Sequence, residues 1–307
     1  MVDKTNYIYS IIIPHYNIPE LLVRCLKSIP VREDIQVIVV DDCSPDADTY
    51  KERFQEFSRP YLEWYSTPIG GSAGRARNIG LQHAKGKWLI FLDSDDMLVD
   101  GVESILNEVQ NRTEDIIYFD TISVMSNDLT KLSNRNFYHQ YFEQYQIDKD
   151  ERPFRYRFHS LWGKVFQNTF IRKYNIRFDQ TRYSNDVMFS AAAGLFAKNI
   201  AIDNKTLFIV TEREGSLASN QFGNIISKNE CETRLNVAIG VRELFEENGI
   251  YNEENQVGEY FGKLRALYKK TYYQYMFKLL FAHPTYIVPF IKRDILFVLK
   301  KIHIVKA

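Results

Sequence analysis

Cysteine, long apolar runs and net charge are scarce in this chain. Its three cysteines, Cys25, Cys43 and Cys231, form an odd, scattered set with no metal-ligand spacing. That excludes a disulfide framework and fits thiols kept reduced in a cytoplasmic setting. Lys and Arg number 39 and Asp and Glu 39, so no global field draws the chain to nucleic acid. No stretch reaches the roughly 18 uninterrupted apolar residues of a membrane-crossing helix. The nearest, LLFAHPTYIVPFIKRDILFVLKK, is broken by His283, Pro284, Pro289, Lys292, Arg293 and Asp294. The opening MVDKTNYIYS has no charged segment leading into an apolar one, so no export signal is expected. Glycine motifs are missing too. GGSAG at 70–74 is not GxGxxG and does not follow the first strand, and there is no P-loop. There is no internal repeat and no low-complexity tract.

What the chain does contain is organised around KWLIFLDSDD at 87–96. Its first half is a continuous apolar run of strand length, which suits a strand covered on both faces of a parallel sheet. Its second half puts Asp93, Asp95 and Asp96 just beyond the carboxyl end of that strand, where open α/β sheets hold their ligands. Three carboxylates in four residues need a counter-charge, and a hard divalent cation that also grips phosphate oxygens is the natural one. A plain acidic turn before the next helix is the alternative.

Around that stretch the chain reads as alternating strands and helices. Residues 7–14 predict a strand ended by Pro14. Pro19 opens a helix marked by Leu21, Leu22, Cys25, Leu26 and Ile29, and 35–40 is a second strand running into Asp41-Asp42. Strand, helix and strand within about 35 residues make a βαβ unit with a right-handed crossover. A short helix to Phe57, a strand over 61–65 and a helix over 73–84 with Gly86 as its C-terminal glycine follow. Val102, Ile105, Leu106 and Val109 mark another helix, and 115–120 another strand. Periodicity is lost over 127–157, where aromatics crowd. Helices are expected over 161–174 and 186–196, a strand over 206–211, and helices to about 248, over 255–281 and over 289–302. This is an α/β domain over 1–220 followed by a helical region over 221–307. In the last part, from Tyr260 to Ala307, ten Lys/Arg face a single acid, Asp294. A helix lying on an anionic membrane surface and an oligomer-forming face both fit that composition.

Asp41-Asp42, the Arg75/Arg77 loop and the 93–96 cluster thus fall on one sheet edge. Carboxylates can accept from a base N–H and from ribose hydroxyls, and arginines can fork onto a diphosphate. The three together read as a nucleotide-diphosphate site.

In order and spacing, IIIPHYN, VVDDCSPD, GRARNIGLQHAKGKWLIFLDSDD, HSLWGKVFQNTFI and SNDVMFS resemble the family 2 inverting glycosyltransferases of the GT-A fold. The likeness covers about residues 8–217 and includes REGSLAS. It implies a Rossmann-like, mostly parallel sheet flanked by helices, and transfer of one sugar from a nucleotide-diphosphate donor, a UDP-sugar, to a lipid-linked or growing bacterial surface glycan. By the resemblance Pro14 and Tyr16 would hold and stack the nucleobase, Asp41 and Asp42 would read base and ribose, and Arg77 would lie by the diphosphate. Asp93 and Ser94 would touch the donor, and Asp93 and Asp95 would hold Mn2+ or Mg2+, with His159 as a further ligand. Asp186 would be the catalytic base and Trp162 an acceptor contact. Asn185 departs from the Glu that many relatives carry before the base. Asp186 as a helix N-terminal residue, and Trp162 as an ordinary packing residue, are the competing assignments.

Overall fold

The computed structural model describes residues 7–55, 62–213, 226–251, 253, 256–282 and 286. Strand β1 (Tyr9–His15) is buried along its whole length, as is β2 (Ile35–Asp41), and α1 (Pro19–Ser28) crosses between them. Then come α2 (Ala47–Gln55), β3 (Leu62–Ser66), α3 (Ala73–His83), β4 (Trp88–Phe91), β5 (Met97–Leu98) and α4 (Val102–Val109). The order β3-β2-β1-β4 is parallel throughout, the product of right-handed crossovers.

Beyond β4 the sheet turns mixed. β8 (Lys164–Gln167) runs antiparallel between β4 and β6 (Ile116–Met125), and β9 (Ile200–Glu212) pairs parallel to β6. β7 (Asp128–Leu132) closes a hairpin on β6, and β5 pairs with β9. Nine strands form this one sheet among the described residues. Helices α5 (His139–Asp148), α6 (Asn168–Lys173) and α7 (Val187–Phe196) join α3 on one face.

The side chains follow the two-residue period of a strand. Ile11 and Ile13 face α1 and α4 with Val37, Val39, Ile90 and Leu106, while Ile12 faces the opposite layer with Ile38, Leu89, Phe91 and Phe189. Truncating one of these to Ala would cost about 2–5 kcal/mol. Helices α8 (Lys228–Glu247), α9 (Val257–Leu267) and α10 (Lys269–Ala282) share their own cluster around Cys231, Leu235, Phe261 and Tyr272. Val241 and Phe245 of α8 join this helical region to α7 through Ala191.

The structure corrects several sequence expectations. The stretch 161–174 is not one helix: Gly163, at φ +68°, ends any helix there, and Val165 and Phe166 are wholly buried between two strands. A Cβ on Gly163 would collide with Phe119 O. Gly86 is not a helix cap either. Ala84 caps α3 in extended geometry, and Gly86 is needed because a Cβ there would sit 2.5 Å from Ser10 N. The 127–157 region holds β7, α5 and a π-helical turn, Pro153–Arg157, with Phe142 of α5 and Phe154 of the turn buried. The strand expected over 206–211 begins at Ile200, and the helix expected over 255–281 breaks at Tyr268. The strand expected to end at Pro14 continues to His15. Phe57, the boundary near 220, the helix over 289–302 and REGSLAS beyond Arg213 lie outside the described residues.

Candidate active site

The carboxyl ends of β1, β2 and β4 meet at one edge, because β1 lies between the other two and His15 pairs with Asp41 in register. Asp41 is fully buried there. Its Oδ1 meets His15 Nδ1 at 2.9 Å and accepts from Ser44 Oγ at 2.6 Å, and its Oδ2 accepts from Ser44 N–H at 2.8 Å. Burial pushes its pKa up, but the His15 and Ser44 hydrogen bonds outweigh that and hold it below the ordinary value. Asp42 is likewise enclosed. Its Oδ1 accepts from Thr67 Oγ1 at 2.8 Å, and its Oδ2 accepts from Gly71 N–H at 2.7 Å and Ser72 N–H at 2.8 Å. Both aspartates thus brace the glycine loop and the turn after β2. Neither presents an idle carboxylate to a nucleobase. Pro14 is buried within β1, and Tyr16, 56% exposed, is the open aromatic at this edge.

Ser72 caps α3, and that helix carries Arg77 inward. Arg77 Nη2 donates to Asp93 Oδ1 at 2.6 Å and Nη1 to Asn185 Oδ1 at 2.7 Å, with the Phe178 ring under the guanidinium at 5.5 Å. Arg77 Nε is buried without a hydrogen-bond partner among the described residues. Asp95 Oδ2 accepts from Arg213 Nε at 2.9 Å, while its carbonyl accepts from Arg24 Nη2 at 2.6 Å and Thr211 Oγ1 at 2.7 Å. Asp96 turns inward to accept from Thr211 N–H at 2.7 Å, and burial, then the charges of Asp95 and Asp93, push its pKa well up. Ser94 is buried between them. The counter-charge that the acidic cluster demands is therefore already present as Arg77 and Arg213. Arg213 comes from the end of β9, which spacing along the chain does not reveal.

A divalent ion would still find oxygen ligands. Asp93 Oδ2 and Asp95 Oδ1 have no protein partner among the described residues, and both side chains are partly open to water. The described residues hold no group of three His, Cys, Asp or Glu side chains arranged around one ion. Two carboxylates plus phosphate oxygens and water would suit Mg2+ or Mn2+, which keep much of their shell outside the protein. His159 is placed differently. Burial, then the charge of Lys164, bring its pKa down to about 4, and an ammonium is an unfavourable neighbour for a metal cation. Trp162 packs against the core, and the Arg135 guanidinium lies 4.6 Å from its ring centroid.

Asp186 stands immediately before α7, but its side chain makes no capping bond. Among the described residues its carboxylate is bonded to no other residue, and only its own backbone N–H reaches it. Burial raises its pKa and prevails over Arg77 and that N–H, which pull it back, while Asp93 raises it and Lys164 lowers it. A capping carboxylate would be bonded to the helix and held low. Asp186 instead has the environment of a group free to take a proton.

The sequence pattern of residues 10–177 matches the model of Glycosyl transferase family 2. The chain belongs to this family. A glycosyltransferase, GlyA, of Streptococcus pneumoniae is 27% identical over 68% of this chain and 31% of its own length. The minor teichoic acid biosynthesis protein GgaB of Bacillus subtilis is 30% identical over 57% of this chain and 19% of its own. The poly(ribitol-phosphate) beta-N-acetylglucosaminyltransferase TarS of Staphylococcus aureus is 23% identical over 70% and 37%. This family 2 chain therefore spans less than half the length of these relatives. Among solved structures, TarS residues 1–349 with UDP-GlcNAc superposes with a TM-score of 0.59 at 20% identity, over 83% of this chain and 70% of that one. A mannosyltransferase from Pyrobaculum calidifontis with GDP-Man and Mn2+ gives 0.51 at 14% identity, over 91% and 76%. Those likenesses establish the GT-A fold for this family 2 member: a Rossmann-like sheet, parallel over its first four strands, flanked by helices.

Proposed function

We propose that this chain transfers one sugar, with inversion, from a nucleotide-diphosphate donor of the UDP-sugar class to a hydroxyl of a bacterial surface glycan. The observation that carries this reading is the carboxylate of Asp186, bonded to no other described residue and set within the field of Arg77, which itself holds Asp93. Tyr16 offers its open face to the nucleobase, while Asp41 and Asp42 act by fixing the loops that frame the base and ribose. Asp93 and Asp95 would hold Mg2+ or Mn2+, which, when bound, supplies positive charge to the departing diphosphate. Arg77 contributes from the protein side. Asp186 takes the proton of the acceptor hydroxyl as that oxygen bonds to C1 from the face opposite the leaving group. The C1–O bond to the diphosphate breaks, and the nucleoside diphosphate leaves with the electron pair. Ser94 lines the donor side, and Trp162 with the exposed Phe137 supplies an acceptor surface.

The names of GgaB and TarS favour a second acceptor, the polyol-phosphate chain of a teichoic acid. Among the described residues no helix is long and apolar enough to cross a membrane. Tyr273, Phe277, Leu280 and Phe281 of α10 are exposed beside Lys269, Lys270 and Lys278. That face suits peripheral binding to the anionic inner surface of the plasma membrane, with pairing of two copies as the alternative occupant. Screening nucleotide sugars for transfer or hydrolysis, with and without EDTA, tests the proposal. Release of nucleoside diphosphate from at least one donor, lost in EDTA, is expected; no turnover with any donor and acceptor would instead leave a nucleotide-sugar-binding partner of a synthase complex.

A further inference from the structure

Lys164 is a buried charge that the reaction above leaves unused. It is 1% exposed, near the centre of the sheet, and its register partner on β6 is Tyr118. Its ammonium donates to Phe158 O and lies 4.7 Å from the Phe158 ring centroid and 5.5 Å from that of Tyr118. One carbonyl and two ring faces are thin compensation for a desolvated ammonium. An apolar side chain of similar volume would fill this place without that cost. The ammonium therefore calls for a reason beyond packing.

The surroundings provide one. The run Phe158–His159–Ser160 that receives the Lys164 bond also touches α7, because Ser190 Oγ donates to Ser160 O at 3.4 Å. Phe166, two residues along β8 from Lys164, packs edge-on against Phe189 of α7 at 5.4 Å. Both contacts bring Lys164 to the helix end where Asp186 stands. Asp186 feels the charges of Arg77, Asp93 and Lys164, and it acts in turn on the Tyr138 hydroxyl. His159 feels the same ammonium. Arg77 is already committed to Asp93 and Asn185.

We infer that Lys164 is a positioning residue for Asp186, an internal cation that keeps the base ionised while Arg77 serves the diphosphate. The inference rests on Asp186 being the base. Burial alone would drive that carboxylate towards its protonated, inactive form, and the ammonium offsets it. The Asp186 field in return favours the charged lysine, whose pKa burial brings down to about 7.

The test is the pH profile of kcat/KM for Lys164→Met beside wild type, with Lys164→Gln in parallel should the Met variant not fold. The acidic limb is expected to move up by about one pH unit, with donor affinity by calorimetry unchanged. In an Asp186→Asn background, Lys164→Met should lower transfer no further, since it acts through the missing carboxylate. An acidic limb at the wild-type position in a folded variant, or equal losses with and without Asp186, would overturn the inference. If Asp186→Asn alone transfers at the wild-type rate, the base assignment has failed instead, and the two failures are distinct.

Discussion

Arg77 Nη2 donates to Asp93 Oδ1 at 2.6 Å, so the arginine of α3 and the first carboxylate after β4 form one unit before any donor arrives. The same guanidinium reaches Asn185, next to Asp186. Donor end and base end of the site are thereby connected through a single side chain. Arg77→Met should remove about 2–3 kcal/mol of stability in urea unfolding, less than for a fully buried pair because Asp93 is partly open to water. Donor affinity should fall at least about tenfold, since a fork onto carboxylate or phosphate has no replacement. Unchanged affinity would place the diphosphate elsewhere.

Asp42 accepts three hydrogen bonds from the loop it braces. Asp42→Ala leaves Thr67 Oγ1 and two backbone N–H groups unpaired, at about 1–3 kcal/mol for what stays buried. Its effect on turnover should be mainly in KM for the donor. A variant of wild-type stability and KM would show that the glycine loop holds itself.

Asp95→Asn addresses the metal. It keeps shape, and its carbonyl still holds Arg24. Donor binding to the wild type should tighten when Mg2+ or Mn2+ is added, and that increment should vanish in the variant. A donor affinity indifferent to EDTA would remove the two carboxylates from metal binding and leave Arg77 and Arg213 as the neutralising charges.

Lys164 has a folded pKa near 7 against an ordinary 10.5, depressed by burial. The unfolded chain therefore binds the extra proton between these values, so this group's contribution to stability rises with pH from about 7 to 10.5. Below pH 7 its burial penalty is present in full. Lys164→Met should thus stabilise the fold by about 1–4 kcal/mol at pH 6, with less gain at pH 9. A loss of stability at pH 6 would make the lysine a structural tie.

The strands of the parallel half were legible because continuous apolar runs such as Trp88–Phe91 need no distant partner to declare themselves. β8 was not. Its apolar run is short, and what makes it a strand is pairing with β4 and β6, elements far away in the chain. The residue types of the site were legible at Asp41-Asp42, Arg77, 93–96 and Asp186, but their partners were not. Asp42 finds Thr67, Gly71 and Ser72 across a loop, and Asp95 finds Arg213 118 positions later. Lys164 falls in a stretch whose spacing predicts a helix, where a lysine reads as a solvated face, and only the sheet buries it.

The account turns on Asp186, and one substitution tests it most directly. Asp186→Asn keeps size and hydrogen-bonding capacity but cannot accept a proton. Its transfer rate and its donor affinity should be measured together. Transfer should fall by about two to four orders of magnitude, while the donor Kd stays within a few-fold, because a group that acts in the transition state adds little to donor binding. Transfer at a near wild-type rate would contradict the account and place the base elsewhere.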